Sequence, residues 1–444
     1  MNANLVGIEG LSSALSTAGV AVAYAPPRRD QKAWRILALA LTLTVFEGAI
    51  RKWLIGSTFQ LWSYLAYFSK DLVFALLLLL PGKINPSPGV EVFRRWLAPG
   101  CFLLICGAIG SGTETVVFEG AVLTLRSALV LPLLAFFAAA RERGISLTSV
   151  AWLLGIYTVA NFLLGASQNQ LPPGHLLNRY AADVPNIVAT ETGVRATGSF
   201  SYITGMGVFS VVGVWAGLVY LSSARSMRQQ IFACVVLASG IGCGLASISR
   251  GPLLIEAVMV IIWLLASGNL MGKKTRALAA VALCVAVALV MGVTGTFSDL
   301  SQGLLQRIEA SEDTVHDRAF AQLDEAVMAF EMAPFGNGLG TEQVGRFALS
   351  SGVLTHTSYE SQLPRIILEV GLPGFLGFLA ISIGAIVALQ AVKSYHAPPG
   401  RKAALLATQL LLAATIYNNV VFNHIASAFV WMIFAAVLAS KPEE

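Results

Sequence analysis

Charged side chains interrupt several apolar segments of this chain. Arg51 and Lys52 end the first such segment, 34–50, and Arg126 lies near one end of the fourth, 121–140. Lys70 and Asp71 lie about halfway along the second. A charge inside a membrane-spanning helix costs several kcal/mol, so each of these residues needs a reason. Two structural explanations stay open: Lys70 and Asp71 could neutralise each other or pair with other helices, and Arg51 and Lys52 could extend to lipid headgroups.

A second set of arginines lies between apolar segments rather than within them. Arg195 precedes the sixth segment, and Arg250 occupies a tight turn, SISRGP, between the seventh and the eighth. Arg307 and Arg318 lie in a long polar stretch before the tenth. A guanidinium group can bind phosphate oxygens through two parallel hydrogen bonds. Arginines gathered at one face of a membrane therefore suit a lipid-linked phosphate or pyrophosphate.

The composition indicates which class of protein must position these residues. Of the 444 residues, 56% are hydrophobic and only 12% are charged, against roughly 25% in an ordinary soluble protein. The stretches 72–82, 196–223 and 277–298 hold no charged residue. A helix of about 17–25 apolar residues can cross the hydrocarbon layer of a membrane. This composition excludes a soluble, a disordered or a nucleic-acid-binding protein, and it lacks the alternation of an outer-membrane barrel.

The apolar runs predict an all-α, polytopic integral membrane protein with about 12 transmembrane helices. The predicted helices are 34–50, 59–80, 96–112, 121–140, 146–166, 202–222, 229–247, 252–269, 277–296, 366–392, 403–421 and 425–440. Lysine and arginine cluster in every second connection, and basic connections mark the cytoplasmic side. Both chain termini are therefore expected in the cytoplasm.

This orientation leaves two long connections on the outer side. The predicted order is a cytoplasmic segment 1–33, helices in 34–166, an outer loop 167–201, helices in 202–296, a large outer loop 297–365, helices in 366–440 and a cytoplasmic tail 441–444. The large loop of 69 residues holds ten acidic residues, four arginines and no lysine. Its stretch 319–330 has apolar residues at helical spacing, which predicts an amphipathic helix. Loops of this length are usually functional, so we expect catalytic groups here.

Four short motifs follow one another between about residues 190 and 390. They are RATGSF at 195–200, SRG at 249–251, PFGNGLGT at 334–341 and EVGLPGF at 369–375. With two outer loops and about 12 spans, they resemble the O-antigen ligase and polymerase family of bacterial envelope glycosyltransferases. Glu47 with the RKW that follows at 51–53, and the Lys70–Asp71 pair, resemble the family more loosely. For most glycines of these motifs we predict turns or close packing, and no GK[ST] follows to make a phosphate loop.

The resemblance implies a place and a chemistry for the chain. Family members resemble the GT-C class of glycosyltransferases and build or attach polysaccharide at the periplasmic face of the bacterial inner membrane. The resemblance implies a donor glycan on undecaprenyl pyrophosphate, a glycan acceptor, contacts with membrane lipid and other polysaccharide-assembly proteins, and no metal or other cofactor. It also implies that Arg195, Arg250 and Arg318 hold the donor pyrophosphate. Secondary candidates are Arg51, Lys52, Lys70, Arg126 and Arg307.

A catalytic base is expected just before the tenth helix. Ligases of this family often carry the motif H-[NSQ]-x9-G-x-x-G, and counted back from Gly371 and Gly374 its histidine position holds Glu360, followed by Ser361. His356 lies one helical turn earlier, on the same face if this stretch is helical. Either side chain could accept the proton of an acceptor hydroxyl. The glutamate favours a polymerase of repeat units over a ligase that transfers glycan to lipid A core or another acceptor.

A transporter of lipid-linked oligosaccharide is the alternative from another class of protein. Secondary transporters commonly show paired halves with broken helices at matching positions. This chain shows no internal repeat, and its arginines concentrate on the outer side. A non-catalytic scaffold of an envelope complex also stays open, as do the sugar, its linkage and the oligomeric state.

Overall fold

A computed structural model describes residues 31–55, 60–85, 87–112, 117–179, 189–190, 193–266, 315–342, 361–394, 399–417 and 423–440. Within these ranges the regular elements are helices and two short strands, β1 (Ala189–Thr190) and β2 (Gly193–Val194), which pair antiparallel. The helices are α1 (Gln31–Ala49), α2 (Gln60–Ala75), α3 (Pro88–Gly110), α4 (Phe118–Leu125), α5 (Leu131–Ala139), α6 (Leu147–Gln170), α7 (Ile203–Ser223), α8 (Met227–Ala246), α9 (Arg250–Ala266), α10 (Val315–Met332), α11 (Gln362–Ser394), α12 (Pro399–Tyr417) and α13 (His424–Ala439). Turns of π-helix extend α1 (Ile50–Ile55) and join α4 to α5 (Arg126–Val130).

The predicted all-helical fold is confirmed for the described residues. Among the described residues, seven helical segments are long and apolar enough to cross a membrane. They are Gln31–Ile55, Pro88–Gly110, Phe118–Ala139, Leu147–Gln170, Ile203–Ser223, Met227–Ala246 and Gln362–Lys393. The other predicted spans fall on shorter helices, except 277–296, which lies outside the described residues. The total of about 12 spans stays a prediction.

Buried helices and close glycine contacts hold the bundle together. All residues of α13 from Ile425 to Ala439 are buried, as expected of a helix that is apolar on every side. Along α3, a Cβ atom added to Gly107 would lie 2.3 Å from the Val370 carbonyl oxygen of α11, and one added to Gly100 would lie 3.0 Å from that of Gly377. Only glycine lets these backbones approach so closely, which is a common device of membrane helix packing.

The bundle has two ends with different character. At one end, which we call the loop end, Arg51 at the end of α1 donates to Ser201 before α7 over 3.4 Å. At the other, the basic end, Arg401 of α12 donates to the Ser440 carbonyl over 2.9 Å. Exposed basic residues lie at this second end: Arg94, Arg95, Arg141, Arg225 and Arg228.

Several helix starts differ from their predicted positions, that of α3 by eight residues. Helix α3 begins at Pro88 rather than at 96, because Glu91 binds Arg94 and Arg95 at 2.9 and 3.0 Å on an exposed first turn that hydropathy alone excludes. Helix α11 begins at Gln362 rather than at 366 and bends at Gly371 (φ 64°, ψ −174°), two residues before Pro373. The amphipathic helix predicted at 319–330 exists and is longer, as α10.

Candidate functional site

A buried glutamate joins α1 to α2 at the loop end. Glu47 Oε1 accepts a hydrogen bond from Arg51 Nη1 over 3.2 Å, one turn further along the chain. Its other oxygen, Oε2, accepts from Lys70 Nζ of α2 over 2.6 Å. The three side chains are at most 4% exposed, so both ion pairs are shielded from solvent. A single carboxylate therefore neutralises only part of the charge of two cations.

A second ion pair joins α2 to the π turn after α4. Arg126 holds Asp71 with both arms of its guanidinium group, from Nε to Oδ2 at 2.5 Å and from Nη2 to Oδ1 at 2.7 Å. Its Nη1 also donates to Ser427 Oγ over 3.3 Å and to the His424 carbonyl oxygen over 3.4 Å. Arg126 thus ties α2 to the start of α13, and the bidentate geometry gives this contact a defined orientation.

The Tyr67 ring lies between these two pairs. Lys70 Nζ is 4.6 Å from its centroid, and the guanidinium carbons of Arg51 and Arg126 are 5.6 and 5.9 Å from it. The His424 ring lies over it with the centroids 4.1 Å apart. Aromatic faces attract cations at such distances, so Tyr67 helps to hold three cations in a small volume.

Lys52 adds a further buried cation without a carboxylate partner among the described residues. Its side chain is 1% exposed, and Nζ donates to Thr197 Oγ1 over 2.9 Å and to the Gly198 carbonyl over 2.8 Å. The same Nζ lies 4.7 Å from the centroid of Trp53. Lys52 therefore connects the end of α1 to the RATGSF motif.

We call this group the cationic cluster. Its members are Glu47, Arg51, Lys52, Tyr67, Lys70, Asp71, Arg126 and His424. Four of them are lysine or arginine and two are carboxylates, so basic side chains outnumber acidic ones among the described members of the cluster. An excess of buried charge is unfavourable unless something compensates for it. The cluster is therefore suited to bind an anion.

Both π-helical turns carry cations of this cluster. The turn Ile50–Ile55 contains Arg51 and Lys52, and Arg126 begins the turn Arg126–Val130. A π turn inserts an extra residue into a helix and changes the direction of its side chains, and such turns are frequent at functional sites. Sequence periodicity does not reveal them, because it assumes a regular helix.

The RATGSF motif at 195–200 contacts the SRG motif at 249–251 through Arg195. Arg195 Nε donates to the Ser247 carbonyl over 3.2 Å, and its Nη2 donates to Ser249 Oγ over 3.2 Å. It therefore binds the turn that leads into Arg250, the first residue of α9. Ile248 in this turn has a φ of 50°, which is strained for a β-branched residue and is held by its surroundings.

The remaining predicted site residues cannot be placed against this group. Arg318 belongs to α10, and only its backbone is described. Arg307, His356 and Glu360 lie outside the described residues. Their predicted roles stay predictions.

The structure decides between the explanations left open for the charges in α1 and α2. Arg51 and Lys52 do not extend to headgroups, because they are 4% and 1% exposed. Lys70 and Asp71 do not pair with each other; each binds a residue from another segment. Sequence reasoning missed Tyr67 and His424, because neither a tyrosine inside the predicted helix 59–80 nor a histidine just before 425–440 is an unusual feature by itself.

The two glycine-rich motifs dock on each other beside the cluster. The Leu372 amide donates to the Pro334 carbonyl over 2.9 Å, and a Cβ atom on Gly371 would lie 2.4 Å from the carbonyl carbon of Phe335. Glu369, which is fully buried, accepts from Thr124 Oγ1 over 2.6 Å and from the Glu342 amide over 2.9 Å. As predicted, these glycines provide turns and close packing.

No group of three or more histidine, cysteine, aspartate or glutamate side chains in the described part of the chain is arranged to hold a metal ion. No protein-family model matches the sequence, and no curated protein matches it either.

Proposed function

We propose that this chain is a membrane glycosyltransferase that takes a glycan from undecaprenyl pyrophosphate. In this proposal it polymerises repeat units of an exopolysaccharide or O-antigen at the periplasmic face of a bacterial inner membrane. The observation that carries the proposal is the cationic cluster, which gathers four buried lysine and arginine side chains and two carboxylates at one end of the described bundle. A pyrophosphate is an anion of suitable charge for it.

The chemistry of glycosyl transfer explains why such a cluster would be useful. When the acceptor oxygen attacks the anomeric carbon, negative charge develops on the departing pyrophosphate. Cations that are already in place stabilise that charge without having to reorganise, which lowers the barrier. Arg51 and Arg126 are held in place by Glu47 and Asp71, so the carboxylates act as supports for the cations.

A purely structural role explains the cluster less well. Buried ion pairs often contribute no more stability than apolar residues of similar volume, because desolvation offsets their attraction. Ionisable residues inside a membrane protein are usually functional for that reason. Lys52 strengthens this argument, since its ammonium group is buried against two neutral oxygens.

The distribution of exposed charge supports the proposed orientation. Arg94 and Arg95 at the basic end are 63% and 72% exposed, whereas the basic residues of the cluster are buried. Exposed basic residues mark the cytoplasmic side. The loop end would then face the periplasm, and α1 would start and α13 would end in the cytoplasm.

The deletion of the gene in its own organism tests the proposal and separates it from its alternatives. A polymerase mutant should lose long polymer and accumulate single repeat units on the lipid carrier at the outer face. Continued polymer that is no longer attached to its acceptor would indicate a ligase. Repeat units trapped at the cytoplasmic face would indicate a transporter, and unchanged polysaccharide would contradict all three.

A binding measurement tests the anion site directly. The protein in lipid nanodiscs should bind undecaprenyl pyrophosphate far more tightly than undecaprenol, because only the former carries the anion. Arg51→Met should weaken the binding of the pyrophosphate, whereas Arg228→Met, at the exposed basic end, should not. Equal binding of the two lipids would contradict a pyrophosphate site.

A further inference from the structure

The His424 imidazole lies in the cationic cluster without a conventional role. Its Nε2 is 3.4 Å from Glu47 Oε2, and its ring stacks on Tyr67. The N-terminus of α13 does not need it, because the Asn423 side chain already accepts hydrogen bonds from the amides of Ile425 and Ala426. Its carbonyl oxygen, not its ring, receives the contacts of Arg126. In the described part of the chain, the contacts of the ring are therefore with Glu47 and Tyr67.

The two ring nitrogens have different surroundings. Nε2 is fully enclosed and lies 3.4 Å from Glu47 Oε2, but the two atoms are not aligned as a hydrogen bond. Nδ1 has no hydrogen-bond partner among the described residues, and 20% of the side chain is exposed. A histidine with one nitrogen directed at a buried carboxylate and the other open has the arrangement of a general base, because the carboxylate selects the tautomer and leaves the open nitrogen unprotonated.

Glu47 is well placed to act as that carboxylate. Lys70 and Arg51 bind it at 2.6 and 3.2 Å, which fixes its position and favours its charged form. The charged and titratable groups around the imidazole are Glu47 of α1, Tyr67 and Lys70 of α2, and Arg126 of the π turn.

We propose that His424 is the general base of this site and that Glu47 is its positioning residue; this inference rests on the proposed glycosyl transfer. Nδ1 takes the proton from the acceptor hydroxyl. At the same time the hydroxyl oxygen forms a bond to the anomeric carbon of the donor sugar. The bond from that carbon to the pyrophosphate oxygen breaks, and its electron pair leaves with the undecaprenyl pyrophosphate. The products are the extended glycan, the lipid pyrophosphate and a protonated His424, which returns its proton to water.

The natural substrate for the test can be taken from the deletion strain. Its membranes hold whatever lipid-linked repeat unit the cell makes, and the extracted lipid serves as donor and acceptor for purified protein in nanodiscs. We expect His424→Gln to reduce turnover by about 10²–10⁴-fold, with the affinity for undecaprenyl pyrophosphate changed less than about threefold. His175→Gln is the matched control, because His175 is exposed and outside the cluster.

Two further measurements separate a base from a merely structural residue. Diethyl pyrocarbonate, which modifies accessible neutral imidazole, should label His424, and undecaprenyl pyrophosphate should protect it. The acid limb of the turnover profile should move in Glu47→Gln, because the partner of the imidazole has changed. A Glu47→Asp variant, which keeps a carboxylate, should recover part of the turnover.

Each contrary result has a separate meaning. Full turnover in His424→Gln, or an unlabelled His424, would overturn the assignment while leaving the glycosyltransferase intact. Full turnover in His424→Gln together with a loss in Glu360→Gln would return the role to Glu360. Extracted lipid that wild-type protein does not convert, with no binding of undecaprenyl pyrophosphate, would overturn the proposed function and the role of His424 with it.

Discussion

The Lys70 ammonium group lies 2.6 Å from Glu47 Oε2 on the neighbouring helix, although Asp71 is next to Lys70 in the chain. Successive residues of a helix point in directions about 100° apart, so adjacent opposite charges do not face each other. Lys70 is directed towards α1, and Asp71 is directed towards the π turn that begins at Arg126. This divergence makes α2 the centre of the cationic cluster.

Glu47→Gln should destabilise the protein strongly. It leaves Lys70 and Arg51 without their carboxylate, and removal of one partner of a buried ion pair costs about 3–5 kcal/mol. The double variant Glu47→Gln/Lys70→Met should recover much of the stability and none of the turnover. Thermal unfolding in detergent measures the stability. Glu91→Gln is the control, because its partners are exposed and little change is expected.

Arg126→Lys should impair function although it keeps the charge. A lysine cannot hold both oxygens of Asp71, and it cannot also reach Ser427. We expect at least about a tenfold loss of turnover, since hydrogen bonds to charged groups contribute about 1.5–3 kcal/mol. Arg141→Lys, at the basic end of the bundle, should retain normal turnover. Normal turnover in both variants would show that the bidentate contact of Arg126 with Asp71 is not needed.

Arg195→Lys, Arg250→Lys and Arg318→Lys test the three arginines that the family resemblance assigns to the pyrophosphate. If these residues bind pyrophosphate through planar forks, each variant should bind undecaprenyl pyrophosphate about tenfold less tightly or worse. Titration of nanodisc-embedded protein with this lipid gives the affinities, with Arg228→Lys as control. Unchanged affinity in all three variants, at equal protein levels, would remove them from the site and leave the cationic cluster as the anion site.

Gly371→Ala should reduce the amount of folded protein. Gly371 has φ 64° and ψ −174°, a conformation that costs other residues of order 1–3 kcal/mol. The added Cβ atom would also lie 2.4 Å from the Phe335 carbonyl carbon, so the two docked motifs would have to separate. Gly174→Ala should be harmless, because nothing lies within 4 Å of its Cβ position. Detergent extraction and size-exclusion chromatography compare the two.

The topology can be tested by cysteine labelling in a cysteine-free background. An impermeant maleimide should label Asp324→Cys in cells with a permeable outer membrane, and it should reach Pro399→Cys only after the inner membrane is opened. Both positions are exposed. This result follows from the exposed basic residues at the end where α12 begins. The reverse labelling pattern would invert the proposed orientation.

Much of the helical layout was predictable from the amino-acid sequence. Apolar runs such as 202–222 and 229–247 coincide with α7 and α8 within a few residues, because a membrane-spanning backbone must satisfy its hydrogen bonds within its own helix. The turns at Gly336 and Gly371 were also predictable, because only glycine readily adopts their backbone angles.

Only the tertiary structure decided which charges meet. Glu47 and His424 are far apart in the chain, and Arg126 reaches Asp71 and Ser427 because the helix carrying it opens into a π turn. Partners of this kind depend on the rotation and depth of each helix in the bundle. Those are determined by contacts such as Gly107 against Val370, which a local pattern of apolar and polar residues does not specify. The amino-acid sequence therefore determines that the helices form. The packing of their small side chains determines which ionisable groups form the site.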